Sequence, residues 1–187
     1  MKKTLLATVT AAALALSSAS AIIAADMKDP KVGGADMYPT KTIVENAVNS
    51  PIHTTLVAAV KAAGLVDTLN SPGPFTVFAP TNDAFAKLPA GTVDTLVKPE
   101  NKATLTKILT YNVVAGRVSY KDIKDGIKEG GGKYELTTVE GGKLTATLKD
   151  GKIMLTDEKG GMATITTANV YQSNGVIDVI DTVLMPS

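Results

Sequence analysis

The sequence predicts a single α+β domain, because two kinds of periodicity occupy different parts of the chain. Between Thr42 and Thr110, apolar residues recur at helical spacing and are interrupted by Pro, Gly and residues that can cap helices. From Lys133 onward, apolar and polar residues alternate and paired glycines mark tight turns. No internal repeat is visible. This order, in which helices precede a meander of strands, is expected when helices pack alongside a mainly antiparallel sheet.

The first two helices are predicted from their caps and their apolar spacing. The first begins after Thr40 or Thr42, and either hydroxyl can accept a hydrogen bond from the first turn. The second begins at Thr54 or Thr55 and ends at Gly64, where a left-handed C-cap residue is expected. Both therefore present one apolar face to a core.

A buried strand and two more helices follow the break at 72–74. The apolar run 75–79 between prolines indicates a buried strand. Thr81 can cap the next helix, which ends at Pro89. A further helix is predicted over 100–110.

The strand region contains one strong turn signal and one strong burial signal. Asp150-Gly151 separates two alternating segments, and such a pair suits a type I′ hairpin turn because both residues need positive φ. The run from Val176 to Met185 is almost continuously apolar, which predicts a strand covered on both faces.

The N-terminus has the pattern of a secretory signal peptide. Lys2 and Lys3 precede an apolar stretch, and Ala19-Ser20-Ala21 is an A-x-A cleavage site. We expect residues 1–21 to be removed, or residues 1–25 if cleavage occurs after Ala25. An uncleaved membrane anchor is the alternative. Residues 22–39 are polar, contain glycine and lack periodicity, so a flexible leader is predicted before the domain at 40–187.

Composition excludes several classes of protein. The formal net charge is +1, which gives no concentrated basic field for nucleic acid. The chain has no cysteine, so neither a disulfide nor an acylated cysteine is available. With one histidine besides, we expect no structural zinc site and no metal cofactor.

Two long segments resemble the signature segments that bracket a fasciclin domain. They are TVFAPTNDAF at 76–85 and NGVIDVIDTVLMP at 174–186, and LPAGTV at 88–93 and LTYNVVAG at 109–116 lie between them in the family's order. The resemblance implies a β-wedge or sandwich of two sheets with a cluster of N-terminal helices packed alongside. It also implies cell adhesion through protein, matrix or surface-glycan contacts.

The resemblance also supplies the adhesion candidates. Tyr111 and Asn112 occupy the position of a Tyr-His pair that is linked to integrin binding in animal members, and Asn112 replaces the histidine. Asp122 and Ile123 resemble short Asp-Ile elements associated with receptor contact. From the residues alone, Tyr111 is expected to pack in the core, whereas Asn112 and Asp122 are expected at the surface. Asp178 stands where many relatives carry histidine.

The remaining polar residues fit structural roles better than catalytic ones. His53 is predicted to lie at a helix start or on the surface, because no serine lies in a nucleophile elbow. The segment around Asp125-Gly126 lacks the ligand spacing of a calcium loop and is interpreted as a solvated loop. Asp178 and Asp181 are expected on opposite faces of one strand, which argues against a paired-carboxylate hydrolase.

These observations lead to one functional expectation and one alternative. The chain is expected to be a secreted, non-enzymatic adhesion module, periplasmic or extracellular, that contacts cell-surface or matrix proteins or glycans, with no nucleic-acid partner and no membrane span in its mature form. The alternative is an exported protein that binds a small apolar or sugar ligand in a cleft between helices and sheet.

Overall fold

The computed structural model describes residues 29–187, so the predicted signal peptide and residues 22–28 of the predicted leader lie outside the described residues. The helices are α1 (Ile43–Asn49), α2 (Thr54–Ala63), α3 (Val66–Asn70), α4 (Asn82–Ala86), α5 (Thr92–Leu96), α6 (Lys102–Tyr111) and α7 (Tyr120–Glu129). A 3₁₀ turn, Pro99–Asn101, precedes α6. The strands are β1 (Phe75–Pro80), β2 (Val113–Ala115), β3 (Lys133–Thr137), β4 (Lys143–Lys149), β5 (Lys152–Thr156), β6 (Met162–Gln172) and β7 (Gly175–Ile180).

The seven strands form one mixed sheet that is nearly closed. Their spatial order is β2-β1-β7-β6-β5-β4-β3, and only β1 and β7 pair in parallel. A bridge between Val114 and Thr138 brings the two ends of the sheet together. The predicted α+β class is confirmed, and the two expected sheets prove to be halves of one sheet that share β6. Register shifts between Ile165 and Val170 carry β6 from one half into the other.

β7 is the central strand, as its composition predicts. All six of its residues are buried, because β1 and β6 flank it and the two faces of β7 meet different cores. Ile177 and Val179 face the helices, whereas Ile180 faces the space between the halves of the sheet. The strand ends at Ile180, five residues earlier than the apolar run suggests. Its parallel pairing with β1 confirms that the two signature segments lie side by side.

Two apolar cores divide the molecule. The first lies between the helices α1 to α6 and one face of β1 and β7, and includes Ile43, Leu56, Ile108 and Val77. The second fills the space inside the bent sheet and is closed by α7. It contains Phe78, Leu144, Ile153, Leu155, Ile123 and Ile180.

Local caps account for where several elements begin and end. Thr42 accepts from the N–H of Glu45 at the start of α1, and Thr81 accepts from Ala84 at the start of α4. Gly64 ends α2 in the left-handed conformation. At the β4–β5 hairpin, Asp150 and Gly151 have φ of 51° and 77°, which confirms the predicted turn.

Two segments differ from the expectations. Residues 29–39 pack on the domain rather than extending as a flexible leader, since Val32 and Met37 belong to the first core and Asp29 accepts a hydrogen bond from the N–H of Tyr171. The segment around Asp125-Gly126 is the middle of α7 and not a solvated loop. Ser119 caps this helix, and Ile123 and Ile127 give it a buried stripe.

Candidate functional site

Tyr111 is a core residue at the end of α6. Its side chain is fully buried, and its hydroxyl donates to the carbonyl of Lys143 at 2.7 Å and accepts from the N–H of Glu158 at 3.1 Å. Burial, together with the nearby carboxylates of Glu158 and Asp157, raises the pKa of Tyr111 to about 12. The side chain therefore joins α6 to the start of β4 and to the turn after β5, and it is not available to a partner, as the residues alone predicted.

Asn112 is buried as well, and its expected surface position is wrong. The side chain is 3% exposed, and its amide donates to the carbonyls of Ile108 at 2.8 Å and Leu184 at 3.0 Å. The backbone carbonyl of Asn112 accepts a hydrogen bond from the backbone N–H of Phe78 at 2.9 Å. Asn112 thus connects α6, β1 and the segment after β7, which makes it a structural residue.

Asp122 and Ile123 share the first turn of α7 but differ in exposure. Ile123 is fully buried in the second core, so it cannot contact a partner in this conformation. Asp122 is exposed and forms a capping box with Ser119. The hydrogen bonds from the Ser119 hydroxyl and N–H lower the pKa of Asp122. Of the four candidates, Asp122 is therefore the one whose side chain reaches the solvent.

The exposed side of α7 carries charges of both signs. Lys121 pairs with Asp125 one turn later, and this contact raises the pKa of Lys121 and lowers that of Asp125. Lys124 and Lys128 lie on the same helix near Asp122. Because the charges alternate in sign, this surface offers no strong field to a charged partner.

An apolar cavity of about 60 Å³ lies in the first core, between the helices and β1. Aliphatic residues make up most of its wall, among them Ile43, Leu56, Val60, Val77, Ile108 and Ile177. In a known engineered protein, a dry apolar cavity of roughly 150 Å³ holds benzene. The cavity in this chain is therefore too small for a ring-sized ligand unless the helices move.

Ser50 and His53 form a buried pair at the wall of this cavity. Ser50 Oγ lies 2.8 Å from His53 Nδ1, and His53 Nε2 lies 3.3 Å from the carbonyl of Ala79. The carbonyl can only accept, so we assign the proton to Nε2 and the serine hydroxyl as donor to Nδ1. Burial lowers the pKa of His53. Both ring nitrogens are engaged, which leaves no position for the acid of a catalytic triad; the pair fixes the start of α2 against β1.

Asp178 is a fully buried carboxylate in β7. Its Oδ1 accepts from the N–H of Asn169 at 2.8 Å, and Asn169 lies in the irregular part of β6 with φ of 58°. The side chain of Asn169 in turn accepts from the N–H of Tyr120 at 2.9 Å. Burial raises the pKa of Asp178 to about 7. This chain of bonds ties β7 and β6 to the start of α7.

Asp181 is held separately from Asp178. Its Oδ1 accepts from the N–H of Thr164 at 2.8 Å, just after β7 ends. The two carboxylates serve different backbone groups and do not converge on one site. Between residues 29 and 187, no three His, Asp or Glu side chains come close enough together to hold a metal ion. The same part of the chain has no helix with the length and apolar character needed to cross a membrane.

The outward side of β3 to β6 is a largely polar surface of exposed and half-buried residues that the sequence analysis did not single out. We call it the outer sheet face. It consists of the residues that alternate with the buried positions of these strands: Lys133, Glu135, Thr137, Lys143, Thr145, Thr147, Lys149, Lys152, Met154, Thr156, Met162 and Thr164. The alternation in KLTATLK at 143–149 and KIMLT at 152–156 is the signal from which it can be found.

Comparison with known proteins finds a matching family model and related sequences. The fasciclin domain model matches residues 51–186. Protein sll1483 of Synechocystis is 52% identical over 145 residues, which cover 78% of this chain and 73% of that protein. Cell surface glycolipoprotein MPB83 of Mycobacterium bovis is 40% identical over 145 residues, which cover 75% of this chain and 58% of that protein.

A solved structure agrees with the fold. It is a FAS1 domain pair from the insect cell adhesion molecule fasciclin I, with a TM-score of 0.69 and 20% identity, and the match covers 79% of this chain and 51% of that one. This chain thus spans about half the length of the pair. The family model that covers most of the chain, together with relatives at 40% identity or more, shows that the chain belongs to the fasciclin domain family.

Proposed function

We propose that this protein is an exported adhesion module that contacts cell-surface or matrix proteins or glycans. The observation that carries the proposal is family membership. One relative is named a cell surface glycolipoprotein, and a structural neighbour comes from a cell adhesion molecule. The geometry favours a surface role over catalysis, because the ring nitrogens of His53 are engaged and Asp178 and Asp181 do not share a site.

An adhesion assay tests this proposal. Beads coated with the exported protein are passed over surfaces that carry cell-wall or extracellular-matrix material, and the retained fraction is measured under flow. Beads coated with the same chain after irreversible heat unfolding are the control. We expect retention several-fold above the control. Equal retention of the two bead types contradicts an adhesive role.

Export itself is part of the proposal. The charged start, the apolar stretch and the Ala19-Ser20-Ala21 pattern predict cleavage after Ala21. Mass spectrometry of the exported protein is expected to find a new N-terminus between Ile22 and Asp26. An intact Met1 in the membrane fraction shows instead that the segment is an anchor.

A second candidate function is binding of a small apolar ligand. The cavity of about 60 Å³ in the first core favours it, although the apolar wall does not suit a sugar. Ligands that bind the folded state raise the melting temperature in proportion to the logarithm of their concentration above Kd. A concentration-dependent rise with short alkanols supports this candidate. An unchanged melting temperature contradicts binding of a small apolar ligand, and adhesion then remains the proposed function.

A further inference from the structure

We propose that the outer sheet face binds an anionic polysaccharide. The inference rests on the proposed adhesive function and names the chemical class of its partner. Three observations carry it: the threonine hydroxyls present on all four strands, the excess of lysine on this face, and the small number of apolar side chains among the outward residues.

The strand register arranges the outward side chains in rows. Glu135, Thr145, Thr156 and Met162 are successive cross-strand neighbours, and Lys133, Thr147, Met154 and Thr164 form the next row. Neighbours within a row have Cβ atoms roughly 5 Å apart, and rows are separated by roughly 7 Å along the strands. Each threonine hydroxyl can donate and accept a hydrogen bond. Two of the four residues in each row are threonines, so a polysaccharide lying along either row meets hydroxyl groups with which its own hydroxyls can pair.

The charge of this face is strongly one-sided. Four lysines and one glutamate give the outward residues a net charge of +3, whereas the whole chain has a net charge of +1. Glu135 pairs with Lys143 at 2.7 Å. The ion pairs found between residues 29 and 187 include none made by Lys133, Lys149 or Lys152. The face therefore presents three ammonium groups that make no ion pair in the described part of the chain.

The arrangement of Lys149 and Lys152 strengthens the argument. These residues are directly opposite each other at the end of the β4–β5 hairpin. Like charges in this position destabilise a strand pair. The exposed Asp150 in the adjoining turn makes no ion pair with either lysine in the described part of the chain. An anionic group bound between the two ammonium groups relieves their repulsion.

Other anionic partners fit the face less well. A lipid surface requires apolar side chains that enter the bilayer, and Met154 and Met162 are the apolar residues among the outward positions. Single-stranded nucleic acid is usually held by aromatic side chains that stack on bases, and no outward position is aromatic. Hydroxyl and ammonium groups together match a polymer that carries hydroxyls and sulfate or carboxylate groups.

Equilibrium binding of the exported protein to matched polymers tests the inference. The probes are dextran, dextran sulfate, polygalacturonate, and vesicles of phosphatidylcholine with phosphatidylglycerol. We expect binding to dextran sulfate, polygalacturonate or both, with no binding to dextran. Which polymer binds distinguishes sulfate from carboxylate. The affinity is expected to fall as salt is raised, because the attraction is electrostatic.

Two double variants distinguish the effect of where the lysines lie from the effect of the protein's net charge. Lys149→Glu with Lys152→Glu is expected to weaken polymer binding at least about tenfold. Lys98→Glu with Lys102→Glu makes the same change in net charge at exposed lysines near α6 and is expected to change affinity less than about twofold. Equal losses in both variants, tighter binding to vesicles than to polymers, or no binding to either anionic polymer overturns the inference.

The adhesion assay separates this inference from the proposed function. If the parent protein adheres to cell or matrix surfaces but binds neither anionic polymer, the inference fails and adhesion stands. If the parent does not adhere at all, the proposed function fails.

Discussion

Two sets of polar side chains in this protein differ in exposure and in role. One set is buried around α6 and β7, and the other is exposed on the outer sheet face. Tyr111, Asn112 and Asp178 are 0 to 3% exposed and hydrogen-bond to backbone groups of other elements. Lys149 and Lys152, on the outer sheet face, are exposed and make no ion pair within the described residues. The first set holds the fold together, and the second is free to bind.

This contrast changes how the family's adhesive positions are interpreted in this chain. The resemblance makes Tyr111 and Asn112 adhesion candidates, yet here Tyr111 connects α6 to β4 and Asn112 connects α6 to the segment after β7. We therefore expect that a substitution at either position that reduces adhesion acts through stability. Measurements of stability and adhesion must therefore be made together on every variant.

The largest effect is expected from a charge in the central strand. Ile180→Asp places a carboxylate at a fully buried position in the second core, and the cost of several kcal/mol approaches the whole stability of a domain, about 5–15 kcal/mol. We expect no cooperative melting transition by circular dichroism. Ile180→Val is the control and costs about 1 kcal/mol. An aspartate variant that melts like the parent contradicts the burial of β7.

Asn112→Ala is expected to destabilise the protein by about 1–3 kcal/mol, because the carbonyl of Leu184 loses its donor in a buried place. For a protein of this size, that corresponds to a decrease in Tm of roughly 2–12 °C. Asn49→Ala is the matched control, since Asn49 is exposed and its amide bonds within its own helix. Its effect is expected to stay below about 0.5 kcal/mol. Equal effects of the two substitutions show that the buried amide has no special role.

Asp178 is expected to make stability depend on pH. Its pKa is raised from an ordinary value near 3.8 to about 7, so the folded state holds the proton more tightly than the unfolded state does. The resulting stabilisation is complete below pH 3.8 and is lost as pH rises through about 7. His53 acts in the opposite direction: its pKa is lowered, so its stabilisation is lost as pH falls below about 6.5.

The difference in unfolding free energy between Asp178→Asn and the parent reports the effect of the Asp178 carboxylate alone, because His53 is present in both proteins. The amide oxygen of the variant can still accept from the N–H of Asn169. We expect the variant to gain stability relative to the parent between pH 4.5 and pH 8, on the order of a few kcal/mol. A difference that is the same at both pH values shows that Asp178 does not titrate in this range.

Asp122→Ala is expected to have the smallest effect. Removing one side of the capping box costs about 0.5–1 kcal/mol, and Asp122 is exposed, so the fold remains intact. Differential scanning calorimetry measures the change. Adhesion is expected to be unaffected. Full stability with reduced adhesion means instead that the first turn of α7 belongs to the adhesive surface.

Local signals in the sequence predict much of the fold. The almost continuously apolar run identifies β7, because a strand with two buried faces carries apolar residues at successive positions. Asp150-Gly151 identifies the hairpin because its backbone conformation restricts the residues that suit it. Thr81 identifies the start of α4 through its capping bond. In each case, the physical requirement is met within a few residues.

The errors arise where the deciding contact is distant in sequence. Asn112 is buried because its amide reaches the carbonyl of Leu184, 72 residues away, and nothing beside it reports this contact. Met37 belongs to the first core although its neighbours are polar. The sequence does not predict α7, because Gly126 interrupts a helix whose buried stripe contains two residues, Ile123 and Ile127.

One experiment tests the separation between buried and exposed polar residues most directly. Adhesion and melting temperature are measured in parallel for Asn112→Ala and for the double variant Lys149→Glu with Lys152→Glu, with adhesion recorded well below both melting temperatures. We predict that Asn112→Ala melts earlier but adheres like the parent, whereas the double variant keeps the parent's melting temperature and loses adhesion. Loss of adhesion in folded Asn112→Ala, with normal adhesion of the double variant, contradicts the account.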